Sequence, residues 1–272
     1  MNEDPRDLAI ISGGSQGIGS AIGREFSSRG YRVVVIDKQP YVALENGLAD
    51  WNPEVLLCDL ADLNEVESLP LDRFLATFTG KGITLINNVT VKDKTSFLEE
   101  ASASWISALN VSVSAAFFLT QRIVKFALTK NAHLNVCNIS SVLASQVGPL
   151  SASYGVSKAG LDYLTRYFAS LGNSLGIQVR AVGVAPGLIV QDRWVQKYVS
   201  PENHQFRMIS ELLHTGTPFG TEGELASTVF WLSEEAPGFL NGETLRFDGG
   251  ISLREPLYMS NKLLDLMRNS EI

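Results

Sequence analysis

The stretch Leu8-Ala9-Ile10-Ile11-Ser12-Gly13-Gly14-Ser15-Gln16-Gly17-Ile18-Gly19-Ser20-Ala21-Ile22-Gly23-Arg24-Glu25-Phe26 passes from a short apolar run, through a glycine cluster, straight into sequence of helical period. Leu8–Ser12 reads as a buried strand and Ile18–Arg29 as a helix. The glycines between them let the backbone turn tightly and approach a pyrophosphate. The charge of such a group is met by free N–H groups and by the positive end of the helix dipole. The spacing, Gly13, Gly17, Gly19, is G-x-x-x-G-x-G rather than G-x-G-x-x-G, and taken alone it also fits a merely structural turn.

Outward from this unit the same alternation repeats. Apolar runs at Arg32–Ile36, Val55–Leu57, Ile83–Ile86, Leu134–Ile139, Gln178–Val184 and Thr244–Phe247 are separated by helical stretches at Leu63–Phe78, Ala103–Leu128, Ser153–Leu175 and Glu222–Ser233. Seven strands with intervening helices predict βαβ units. The expected fold is α/β, a single Rossmann-type doubly wound domain with a seven-stranded parallel sheet. No Pro/Ser/Gly-rich linker divides it, so residues 1–252 read as one domain that includes a substrate loop at 188–221. Residues 253–272 form a C-terminal extension, in which Asn261–Met267 reads as a short amphipathic helix.

With 272 residues, 45% hydrophobic, the chain can bury on the order of three quarters of its unfolded surface, which excludes disorder. A net charge of −7 without any Lys/Arg run argues against a nucleic-acid partner. The N-terminus lacks a basic and apolar leader, and no apolar stretch approaches a membrane span, so a soluble, cytoplasmic protein with no membrane partner is expected. Cys58 and Cys137 sit in apolar segments as inert buried thiols do, and His133, His204 and His214 show no metal-ligand spacing.

In an open parallel sheet, ligands bind at the carboxyl ends of the strands. Asp37 ends the second strand about twenty residues after the glycines, where a carboxylate accepts hydrogen bonds from both adenosine ribose hydroxyls. It would repel a 2′-phosphate, which favours NAD over NADP, although the adjacent Lys38 keeps NADP open. Asp59 ends the third strand in the same way. Tyr154 and Lys158 stand four apart on a helix and project from one face, so an ammonium near the phenol favours its ionised form. Without that pull a phenol, with an ordinary pKa of about 10, is a poor base near neutral pH.

Together these residues resemble the short-chain dehydrogenase/reductase family over nearly the whole chain, Leu8 to about Ser252. The glycine loop resembles the family's T-G-x-x-x-G-x-G with Ser12 for Thr. Asn87-Asn88 resembles its N-N-A-G, Asn110 falls where its active-site Asn lies, and Ser141 precedes Tyr154 by thirteen, the family's spacing. Pro186-Gly187 and Asp248-Gly249-Gly250 resemble its nicotinamide-side turn and closing signature.

The resemblance implies that Tyr154 is general base in oxidation and acid in reduction, and that Lys158 holds the nicotinamide ribose and lowers the Tyr154 pKa. It also implies that Ser141 polarises the substrate oxygen and that Asn110 holds a proton-relay water. The implied cofactor contacts are Gly13, Ser15, Gln16, Gly17, Ile18 and Gly19, then Asp37, Asp59, Leu60, Asn87 and Val89, then Tyr154, Lys158, Pro186, Gly187 and Ile189. Two departures stand out. Val89-Thr90 replaces Ala-Gly, where a β-branched residue is stiff and cannot follow a glycine-only backbone, and Gln191 stands where many relatives carry Thr.

Ser141, Leu143, Val147, Tyr154, Gly187, Trp194 and Tyr198, with Phe206 and Phe219, predict a mostly apolar substrate pocket for a secondary alcohol or its ketone. Arg193, Lys197, His204 and Arg207 offer cations, each read first as part of a solvated face. The expected activity is hydride transfer between NAD and that substrate. The alternatives are an NADPH-dependent ketoreductase resembling the 3-oxoacyl carrier-protein reductases, or a catalytically silent dinucleotide-binding scaffold. The family implies a homodimer or homotetramer built on the two long helices, and the C-terminal helix is either packed on its own subunit or a clasp over a neighbour.

Overall fold

The computed structural model describes residues 6–41, 51–214, 217–253 and 255–268. β1 (Leu8–Ser12) leads through the glycine loop into α1 (Gly17–Ser28) and β2 (Arg32–Asp37), followed by β3 (Glu54–Leu57), α2 (Leu63–Ser68), α3 (Leu71–Leu75) and β4 (Gly82–Asn87). α4 (Ser102–Leu109) runs through a π-helical turn, Asn110–Ser114, into α5 (Ala115–Lys130), and then come β5 (His133–Ile139), α6 (Ala152–Ala169), α7 (Gly172–Leu175) and β6 (Val179–Pro186). The remainder comprises β7 (Ile189–Val190), α8 (Asp192–Val199), α9 (His204–Leu213), β8 (Gly220–Thr221), α10 (Glu222–Phe230), β9 (Thr244–Phe247) and α11 (Pro256–Arg268).

Seven strands pair in parallel, as the alternation predicts, and their order is β3-β2-β1-β4-β5-β6-β9. Because successive side chains on a strand point to opposite faces, each strand feeds two cores. Leu8, Ile10, Ile83 and Leu85 pack with Leu119 and Ile123 of α5 on one face, and Ala9, Ile11, Val33 and Val35 pack with Ile22, Phe26 and Val229 on the other. The register Leu8↔Arg32 to Ser12↔Ile36 and Leu8↔Ile83 to Ser12↔Asn87 brings the ends of β1, β2 and β4 level. That levelling gathers the loops after these strands into one cleft.

Several expected boundaries move for local reasons. The stretch Leu63–Phe78 is two helices because Pro70, which has no N–H to donate, interrupts it. α10 begins at a capping box, with the Thr221 hydroxyl accepting from Glu224 N–H and the Glu224 carboxylate accepting from Thr221 N–H. β7 and β8, unforeseen in the sequence, pair Ile189 with Gly220 and Val190 with Thr221, closing the base of the 188–221 segment.

One sequence expectation is corrected: the continuous helix Ser102–Lys130 is, by length and composition, long and apolar enough to cross a membrane. Its buried side, including Ala115, Leu119, Ile123 and Ala127, packs into the core beneath the sheet. α11 is longer than expected and rests against α9 of its own chain.

Candidate active site

A cleft of about 450 Å³ opens at the carboxyl ends of β1, β2, β3, β4, β5 and β6. Its nucleotide end is the glycine loop. Gly13 sits at φ +69°, a conformation costly for any residue with a Cβ, and a Cβ on Gly19 would lie 2.1 Å from the Gly13 carbonyl oxygen. The loop can therefore close on itself and offer backbone N–H groups to a phosphate. Gly13, Gln16, Gly17, Ile18 and Gly19 all line the cleft.

Asp37 lines it too, with Oδ2 accepting from Ser15 N–H at 3.1 Å and Oδ1 from Gln39 N–H at 3.2 Å. Ser15 is absent from the wall; its part is to hold that carboxylate, and its hydroxyl donates to the Gln39 carbonyl at 2.9 Å. Asp59 and Leu60 follow along the wall, with Asp59 Oδ1 accepting from Ala61 N–H at 3.0 Å. The Cys58 thiol, pushed up to about 11 by burial and by Glu65, Asp59 and Asp62, is unreactive at neutral pH, and that of the fully buried Cys137 is pushed up to about 12.

Asn87 stands behind the wall. It is buried and donates from Nδ2 to Asn138 Oδ1 at 2.8 Å, and Asn138 donates in turn to Thr165 Oγ1 of α6 at 2.9 Å. This amide chain ties β4 and β5 to the helix that bears Tyr154. Asn88, to which the sequence assigned no contact of its own, does the neighbouring work: its Nδ2 donates to the Gly13 carbonyl at 2.9 Å, clamping the loop after β4 to the glycine loop. Val89 lines the cleft, and Val89 and Thr90 both have ordinary backbone, since Asn131 is the only non-glycine at positive φ among the described residues. The expected conflict with a glycine-only conformation does not arise.

At the other end, Ser141, Tyr154 and Lys158 face the same cleft, beside Pro186, Gly187 and Ile189. The Ser141 hydroxyl accepts from Leu143 N–H at 3.2 Å, which leaves its own proton to donate. Lys158, almost wholly buried, donates from Nζ to the Ile139 carbonyl at 2.7 Å, and its ammonium lies 5.8 Å from the centre of the Tyr154 ring.

The Tyr154 pKa is raised rather than lowered: burial dominates, and a hydrogen bond with Ser141 pulls only partly the other way. Lys158 exerts little pull because burial, helped by the cation of Lys92, brings its own pKa down to about 7, so it is only partly charged at neutral pH. The side chain of Asn110 is also placed differently from expectation. It donates to the Ala61 carbonyl at 3.1 Å and accepts from the Ser114 hydroxyl at 3.4 Å, at the start of the π-helical turn, and it does not line the cleft.

The expected substrate pocket is divided. Leu143 and Val147 line a neighbouring hollow of about 420 Å³ that shares Tyr154 with the cleft. Trp194 and Tyr198 line a separate hollow under α8, where Lys197 lies 5.5 Å from the Trp194 ring and Tyr198 packs edge-on against Phe219. The side chains of Arg193, Phe206 and Arg207 lie outside the described residues. Lys92, Thr90 and Gln191 complete the wall of the main cleft. The signal for Lys92 was its position just past a central strand's carboxyl end.

Residues 13–252 match the family model described as enoyl-(acyl carrier protein) reductase. The chain is a short-chain dehydrogenase/reductase. It is 29% identical over 245 residues to the 3-oxoacyl-(acyl-carrier-protein) reductase of Rickettsia bellii, covering 89% of this chain and 95% of that protein. Among solved structures it resembles 4-hydroxyisoleucine dehydrogenase complexed with NADH (TM-score 0.79, 22% identity, 92% of this chain and 100% of that one). It also resembles the gluconate 5-dehydrogenase of Burkholderia cenocepacia in complex with NADP and tartrate (TM-score 0.76, 22% identity, 93% and 98%). This short-chain dehydrogenase/reductase is accordingly an oxidoreductase of the nicotinamide dinucleotides, and the glycine cradle with Asp37 beside it fits that cofactor.

Proposed function

We propose that this enzyme oxidises a secondary alcohol to its ketone, and runs the reverse reduction, with NAD as its preferred cofactor. The observation that carries the reading is the convergence of Ser141, Tyr154 and Lys158 at one end of a cleft whose other end is a glycine loop held to Asp37.

When bound, the nicotinamide ring supplies the chemistry of accepting or giving a hydride. The protein's own residues handle the proton and the geometry. With substrate seated, Ser141 donates its hydroxyl proton to the substrate oxygen and polarises it, as a single oxyanion donor would. Tyr154 takes the hydroxyl proton in oxidation and returns it in reduction. Lys158 has one N–H committed to Ile139 and two left for the ribose hydroxyls and the proton path. Asn110 supports this from outside the cleft by fixing the turn between α4 and α5.

Asp37 supports NAD because a ribose 2′-phosphate would sit against its carboxylate. Lys38, also on the cleft wall, favours the second reading, an NADPH-dependent ketoreductase. Titration with NADH and NADPH, following nicotinamide fluorescence in wild type and Asp37→Ala, decides between them. Tighter NADH binding that weakens in the variant while NADPH gains supports the NAD reading, and NADPH preference in the wild type overturns it. A silent scaffold would have no use for a serine, a tyrosine and a buried lysine gathered on one cleft wall.

The partner we propose is a second copy packed on the face of α6 that leaves Val156, Tyr163 and Tyr167 exposed. Sedimentation equilibrium of wild type against Tyr163→Glu/Tyr167→Glu checks it, with dissociation of the variant expected.

A further inference from the structure

Lys92 takes no part in the proton chemistry above, yet it stands on the wall of the cleft that Ser141, Tyr154 and Lys158 share. The loop that carries it is held on both sides. Ser112 donates its hydroxyl to Thr90 Oγ1 at 3.4 Å, and the Asp93 carbonyl accepts from Ser151 N–H at 2.9 Å, at the position just before α6. The backbone on either side of Lys92 is thereby held, on one side to the residue that precedes α6.

Among the described residues no carboxylate pairs with the charge of Lys92. The adjacent Asp93 turns to Lys94 N–H at 2.7 Å and to Thr95. The carboxylates of the cleft, Asp37 and Asp59, are at the adenosine end and are engaged by backbone N–H groups. Asp162, the acid that acts on Lys158, accepts from Thr244 at 3.2 Å. Lys92 and Lys158 both line the cleft, and the charge of Lys92 bears on Lys158.

We infer that Lys92 binds a carboxylate of the substrate, so that the alcohol or ketone turned over is a hydroxy acid or oxo acid whose carboxylate lies a few bonds from the reacting carbon. The inference rests on the dehydrogenase reading above and names its substrate class. One ammonium answers one unit of negative charge, which suits a carboxylate. A phosphate dianion calls for two or more cations, and Lys158, the other cation of this end, is only partly charged. Desolvation pushes Lys92 down, and Lys92 in turn pushes Lys158 down. An anion seated beside them would favour the charged form of both, so a carboxylate substrate would bring Lys158 to its working charge as it binds.

The test uses the full chain as wild type, Lys92→Met and Lys92→Arg. NADH is titrated first by fluorescence, and the NADH complexes are then titrated calorimetrically with succinate, succinamide and inorganic phosphate. All three proteins are expected to bind NADH alike within threefold. Succinate should bind the wild-type complex, at least tenfold more weakly in Lys92→Met and within threefold of wild type in Lys92→Arg, while succinamide gives no binding. Equal succinate affinity in wild type and Lys92→Met, no succinate binding by a competent NADH complex, or phosphate binding more tightly than succinate overturns the inference. A wild type that binds no NADH overturns the dehydrogenase reading, and this inference with it.

Discussion

The two ends of the cleft carry opposite charge and are built in opposite ways. At the nucleotide end, beside Lys38, stand the carboxylates Asp37 and Asp59, each at or just past a strand end and each fixed by backbone N–H groups close by in the fold. At the chemical end stand Lys92 and Lys158, which come from different elements and share one desolvated wall. Strand ends and a glycine loop suffice to place the first pair. The second pair needs β4, β5 and α6 to be locked together, which the Asn87–Asn138–Thr165 chain does. A cofactor site can therefore be local, whereas a site for proton chemistry here is a product of the packed core.

The hardest way to break this contrast is at Tyr154. Tyr154→Phe removes the proton carrier and nothing at the nucleotide end. Turnover should fall by about 10²–10⁴-fold, while NADH affinity stays within threefold. Retained turnover in steady-state assays would show that the acid–base group lies elsewhere.

The next largest effect concerns the burial of Lys158. Its pKa is lowered from 10.5 in the unfolded chain to about 7 in the fold. Between those values the unfolded chain holds the extra proton, so stability rises with pH across that window, and the cost of burying the charge is fully present below about pH 7. At about 1.4 kcal/mol per unit, the cost is of the order of a few kcal/mol. Lys158→Met should therefore be more stable than wild type in urea at pH 6, with the gap closing as pH rises toward 10. A gap that does not change with pH would break the assignment.

At the opposite end, Asp37→Ala loses a carboxylate that accepts charge-assisted hydrogen bonds, worth about 1.5–3 kcal/mol. NADH affinity should fall by about tenfold to a hundredfold and NADPH should gain. An equal loss for both cofactors would mean that Asp37 merely holds the loop through Ser15.

The same contrast explains what could be read from sequence. The seven strands, their parallel pairing and the nucleotide end follow from short apolar runs, Gly13 to Gly19 and Asp37, all local signals. Tyr154 and Lys158 were legible because helical spacing alone puts them on one face. Lys92 offered only its position past the end of β4, and nothing near it in sequence tells that Ser151 and Ser112 pin its loop beside Tyr154's helix. Trp194 and Tyr198 erred in the other direction: aromatic residues in the right segment were read as pocket, but α8 holds them over a separate hollow. The lowered Tyr154 pKa was a two-residue expectation, and the burial that reverses it belongs to the whole fold.

The smallest effect is expected where the sequence looked most irregular. Val89-Thr90 replaces the small residues that the resemblance leads one to expect, and bulk there would press on the cofactor if the side chains faced it squarely. Val89 instead packs against the core cluster around Leu119 as well as touching the cleft, and Asn88 clamps the turn to Gly13. A Cβ added at Gly13 would come within 3.0 Å of Val89, so the two backbones already sit as close as glycine permits. Thr90 turns its hydroxyl to Ser112. Val89→Ala/Thr90→Gly should consequently change NADH affinity by less than threefold, while costing about 0.5–1.5 kcal/mol of stability through lost packing and added backbone freedom. A tenfold gain in NADH affinity would mean that these two residues do narrow the cofactor's seat, and that the end of the cleft described as local is also shaped by the packed core.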